Sequence, residues 1–272
     1  MRGRKAPFNQ PFLSHLTATG EDELDSPQKR SEFRTELADG LSKALRIYLI
    51  IFIVEIAFLF VVSSLPFLPG EQAFFTAQGN QIGSEFQGES LLAVFTGIFI
   101  NNFRISLLDL IPGFGVLIFA FSTYATARVL EALALTQNAS PLVVLVLLLL
   151  LFPHSYLELP AYAIAAGATV LLIVAATKWL TATEKSEVNI FVELAQFGVS
   201  LAIIVVMLLV AALFESVEIQ LGSSLFLITW IPFAAIVVGA YLLYARLEKF
   251  RKESRAELPS EPKKDDSSHL SV

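Results

Sequence analysis

The sequence contains no cysteine. That excludes disulfides, thiol nucleophiles and thiolate metal sites. Charge is almost as scarce: Asp, Glu, Lys and Arg make up 16% of the chain, against about one quarter in an ordinary soluble domain. Histidine occurs three times, and His15 and His269 lie near the ends. No phosphate loop, Gly-x-Gly-x-x-Gly, His-Glu-x-x-His or Gly-x-Ser-x-Gly is present, so no enzyme signature is readable and no cofactor is implied. No basic stripe exists to neutralise phosphates, which argues against nucleic acid as a partner.

What fills the chain instead is apolar. Of 272 residues, 55% are hydrophobic, and the formal net charge is −6. The mean hydropathy is +0.66. Residues 47–245 hold only 4 basic and 12 acidic residues. A surface so poor in charge belongs in lipid. Residues 1–43 read as a polar, mostly disordered arm, with an amphipathic helix around 32–45 leading into the membrane. Residues 44–246 form the transmembrane domain. The tail 247–272 starts as a charged helical extension and becomes disordered beyond Pro259.

Six stretches are long enough to cross: 47–67, 91–110, 114–135, 160–180, 191–214 and 225–244. A seventh, 141–152, is aliphatic but short, reaching about 18 Å against roughly 30 Å of hydrocarbon. Lys43, Arg46, Arg246 and Lys249 flank the outermost spans, so both termini are expected in the cytoplasm. The loops 68–90 and 215–224 carry only acidic charge and are expected outside. Two ends on one side require an even number of crossings. The expectation is an all-α polytopic bundle of six crossings plus a short broken or re-entrant helix. A seven-span chain is the alternative, and failure of 91–113 to cross is another.

Ionisable and strongly polar residues inside spans are costly and mark structural or functional sites. Glu55 lies in the first span and invites pairing with Arg104. Asn101, Asn102, Arg104, Ser106 and Asp109 interrupt the second, with 101 and 104 on one helical face and 102, 106 and 109 on another. Pro112, Gly113 and Gly115 mark a tight turn or close packing. Pro153 and Pro160 bracket a helix break. Ser155-x-x-Glu158 fits a capping box. His154 and Glu158 would meet if the intervening turn were helical, and can hold a proton or ligand. One histidine and one carboxylate are too few for a metal site, so no metal is expected.

Three of these features in order resemble the stage II sporulation protein M family. They are Asn101-Asn102-x-Arg104, Gly113-x-Gly115, and the block Phe152-Pro153-His154-Ser155-Tyr156-Leu157-Glu158-Leu159-Pro160-Ala161. The resemblance covers roughly residues 44–180. Ser155 stands where glycine is usual, and Tyr124-Ala125 replaces an Asn-Gly pair. The resemblance implies a non-enzymatic protein of the cell membrane that scaffolds or joins partners in envelope remodelling. In spore formers the family works with cell-wall hydrolases and a partner membrane protein; relatives also occur where no spore is made. Implied partners are the bilayer and other membrane or envelope proteins, with homo-oligomers left open. The broken helix beside intramembrane polar groups supports a second reading, a small-solute or ion transporter with a midplane site.

Overall fold

The computed structural model describes residues 27–181, 190–222 and 226–256. The expected disorder of 1–26 and of 257–272 lies outside the described residues. Among the described residues every regular element is helical. The helices are α1 (Pro27–Val62), α2 (Glu71–Glu85), α3 (Leu91–Asp109), α4 (Gly115–Thr136), α5 (Pro141–Leu151), α6 (Ser155–Thr181), α7 (Ile190–Leu221) and α8 (Trp230–Ala256). A 3₁₀ turn, Phe226–Thr229, precedes α8.

Five segments are long and apolar enough to cross a membrane: Phe33–Val62, Leu91–Asp109, Gly115–Thr136, Ser155–Thr181 and Phe191–Leu221. The 91–113 region therefore holds a helix of spanning length, despite its polar residues. The expected sixth span, 225–244, does not reach that standard. Among the described side chains its apolar helical part is Leu227–Gly239, and the helix continues unbroken to Ala256. The amphipathic segment at 32–45 is no separate piece but the first part of α1, which runs unbroken for 36 residues. The charged extension after Arg246 is helical to Ala256.

Local chemistry sets the helix ends. Ser90 caps α3, its hydroxyl accepting from the Ala93 N–H at 3.3 Å. Glu71 opens α2 and accepts from the Leu68 N–H at 2.7 Å. Pro141 begins α5, where its missing N–H costs nothing. Pro153 forces the preceding Phe152 into an extended conformation, which ends α5 after 11 residues. At about 1.5 Å per residue α5 cannot span a bilayer.

The α3–α4 corner shows why two glycines are there. Gly113 sits at φ 88°, in the left-handed region. A Cβ on Gly115 would fall onto the Asp109 carbonyl oxygen. The Thr169 hydroxyl of α6 donates to that same carbonyl at 2.7 Å. The corner is thereby bonded to the bundle interior.

Helices α6 and α7 pack closely on each other and on α1 and α3. The means is a face of small residues on α6, with Ala161, Ala165, Ala166, Gly167 and Ala168 all buried. Without a hydrophobic drive between helices in lipid, such close approach gains dispersion contacts. Leu110, Ile204 and Leu208 pack onto it. A Cβ on Gly167 would overlap the Tyr48 ring of α1. Tyr48 also shares a hydrogen bond of 2.8 Å with Ser200 of α7.

Candidate functional site

Polar side chains of the spans gather in two buried groups and one outward groove. The first group joins α4 to the end of α1 and the start of α2. Arg128 and Glu131, three apart on α4, pair at 2.7 Å. Arg128 Nε lies 3.2 Å from Glu71, and its Nη1 donates to the Leu65 carbonyl at 2.8 Å. The guanidinium sits 4.9 Å from the Phe67 ring centre. The Tyr124 hydroxyl donates to Glu71. Every partner here is a fixed protein group, as a buried charge requires. The tyrosine of the Tyr124-Ala125 departure thus has a bond of its own.

The second group forms at the break between α5 and α6. The His154 carbonyl accepts the Leu157 and Glu158 N–H groups, both at 2.9 Å, so the turn is helical and brings the two side chains together as expected. The capping box does not form. The Ser155 hydroxyl instead points back to the Leu148 carbonyl at 3.4 Å, and the Glu158 carboxylate accepts from the Tyr162 hydroxyl at 2.8 Å. Pro160 lies inside α6 rather than beginning it. The break is therefore confined to the region around Phe152, Pro153 and His154.

The acidic residues expected in an outer loop supply the rest. α7 continues to Leu221, so Glu215 and Glu218 are helical and turn inward. Glu218 contacts His154 Nδ1 at 2.5 Å and accepts from the Thr229 hydroxyl at 3.1 Å. One ring nitrogen of His154 and one carboxylate oxygen each of Glu158 and Glu215 lie within 4.8 Å of one another. Sequence reasoning missed Glu215 and Glu218 because acidic residues after an apolar run read as a loop. Their three-residue spacing, which puts both on one helical face, was the available signal. Trp230 of α8 closes the outside of this region, its indole N–H donating to the Leu151 carbonyl at 2.7 Å.

Glu55 is buried in the bundle and one of its oxygens, Oε2, has no hydrogen-bond partner. It does not pair with Arg104, which is exposed on the other side of α3. The two faces expected for α3 are real: Asn102, Ser106 and Asp109 point inward and are buried, and Asn101 and Arg104 point outward. Both Asp109 carboxylate oxygens lack a hydrogen-bond partner. Asn101 donates to the Asn102 side-chain oxygen at 3.2 Å. Ser90, Ala93, Thr96, Gly97, Asn101 and Arg104 line an open groove of about 550 Å³ along the outward face.

Helices of spanning length that bury carboxylates, a guanidinium and an imidazole among themselves define a polytopic α-helical membrane protein. Residues 48–217 match the family model of stage II sporulation protein M. The chain belongs to that family. The matched region runs from Tyr48 in α1 to Val217 in α7, so both buried polar groups lie within it, except for Glu218 and Thr229. Comparison with curated proteins and with solved structures gave no match.

Proposed function

We propose that the protein is a non-enzymatic scaffold of the cell membrane that docks a partner membrane protein during envelope remodelling. The observation that carries this reading is the outward groove of α3. Its lining runs from Ser90 to Arg104, about 21 Å of helix. Arg104 is close enough to the helix end for its guanidinium to reach lipid headgroups. Asn101 lies near the middle of the helix and Thr96 as deep as Arg104, and both are too short to do so. Polar groups facing hydrocarbon at that depth are satisfied by another helix. Ala93, small and exposed, lets a partner backbone come close.

In this reading α8 makes a sixth crossing, with apolar residues 227–244 in the membrane. The basic flanks at both ends then lie in the cytoplasm, as the distribution of Lys and Arg favours. The buried polar groups hold the bundle in one shape. Family membership supports a role of this kind without naming the partner.

The test is recovery from native membranes in a gentle detergent. The wild-type protein should bring down a defined membrane or envelope partner, and Ala93→Leu should lose it while remaining monodisperse. Recovery of wild type and variant alone at native expression would count against the proposal. So would solute uptake into liposomes that Glu158→Gln abolishes in a folded protein, since that outcome belongs to a transporter.

A further inference from the structure

The break between α5 and α6 places more carboxylates together than the local protein cations can balance. The His154 ring faces Glu158, Glu215 and Glu218. Of the other basic side chains in the described spans, Arg128 is committed to Glu71 and Glu131. Arg34, Lys43, Arg46, Arg104 and Lys178 are exposed. Three carboxylates against one imidazole in a low-dielectric interior demand further positive charge or protons.

We propose that His154, Glu158 and Glu215 bind one divalent first-row cation, with Zn²⁺ the best fit, and that the ion pins α6 to α7. This inference stands independently of the scaffold reading. A tetrahedral Zn²⁺ with ligands at about 2.0–2.2 Å wants donor atoms about 3.4 Å apart. The three donors already lie within 4.8 Å, and side-chain torsions close the difference. One imidazole nitrogen with carboxylate oxygens suits Zn²⁺ or Mn²⁺. Ca²⁺ and Mg²⁺ prefer oxygen alone.

The surroundings have the form that metal-binding histidines require. Glu218 holds Nδ1, which fixes the tautomer and leaves the Nε2 lone pair for the ion. Thr229 in turn holds Glu218. Tyr162 holds one oxygen of Glu158. A separate observation comes from α1. Glu55 is 2% exposed, its Oε2 has no partner, and it lies within electrostatic reach of Glu158. A cation bound beside Glu158 supplies the positive charge that this carboxylate otherwise lacks.

The experiment uses the full chain, purified in mild detergent and stripped with EDTA. It is then titrated separately with Zn²⁺ and Mn²⁺, and metal content is read by mass spectrometry. Wild type should bind one equivalent of Zn²⁺ and gain thermal stability on binding. Glu215→Gln should lose that equivalent. Thr229→Val should weaken binding about 10-fold or more through Glu218, and exposed Glu85→Gln should leave it unchanged. A monodisperse wild type that binds no Zn²⁺, or that binds it as well after Glu215→Gln, overturns the proposal and leaves protons as the balancing charge. If Glu215→Gln fails to fold, the wild-type titration and Thr229→Val decide, because Thr229 contributes no ligand.

Discussion

Arg128 and Arg104 show how little a residue's identity determines its role. Both are arginines within helices of spanning length. Arg128 is 3% exposed and bonded to Glu71, Glu131 and the Leu65 carbonyl, and Arg104 faces outward on a groove. Glu71 completes the Arg128 cluster from outside the spans, and there proton chemistry has a clear sign. The hydrogen bond from Tyr124 holds the Glu71 carboxyl below the 4.5 of a free glutamate. The Leu68 N–H and the charge of Arg128 pull the same way, against desolvation. A carboxyl lowered in the folded state stabilises fully above its unfolded pKa, and that contribution fades as pH drops through the folded value. The unfolding midpoint in detergent should therefore fall as pH is taken below 4.5, and Glu71→Gln should flatten that dependence. Identical slopes for both proteins would show that this carboxylate contributes nothing to folding.

At the scale of elements, the α3–α4 corner is the tightest joint, because Gly115 leaves no space for a side chain over Asp109. Gly115→Ala should destabilise the bundle by about 1–3 kcal/mol, as other overpacked sites do. The measure is the shift in denaturant or thermal midpoint, with Gly83→Ala on the open face of α2 as the control. Pro112, Gly113 and Gly115 were readable from sequence as a turn, since their backbone demands are local. His154 and Glu158 were readable for the same reason, being one helical turn apart. Glu215 and Glu218 were not, because their burial depends on where α7 packs, about sixty residues further along the chain. The Glu55–Arg104 pairing failed for the opposite reason. Charge complementarity suggested it, but the rotation of α3 about its own axis sends Arg104 away from α1. Periodicity gave two polar faces of α3, and nothing in it tells which face turns inward or meets which neighbour.

At the scale of the whole molecule, the number of crossings decides sidedness. Six crossings put residues 14 and 260 on the same side; five put them on opposite sides. Because the chain has no native cysteine, Ser14→Cys and Ser260→Cys can each be labelled alone in sealed vesicles with an impermeant maleimide. Both should be protected in right-side-out vesicles and both labelled in inverted ones. Opposite labelling of the two would remove α8 from the membrane. The burial of Glu55 has a consequence for how the chain is made. The helices that enclose it, α6 and α7, are synthesised later; Glu158 leaves the ribosome about a hundred residues afterwards. At about 5–20 residues per second that delay is roughly 5–20 s. During it the carboxyl group of α1 lacks the cover of α6 and α7, so the insertion machinery, a chaperone or a proton must shield it. The first helix made thus waits for α6 and α7 to complete its surroundings, and nascent chains stalled before α6 should be the form most open to degradation.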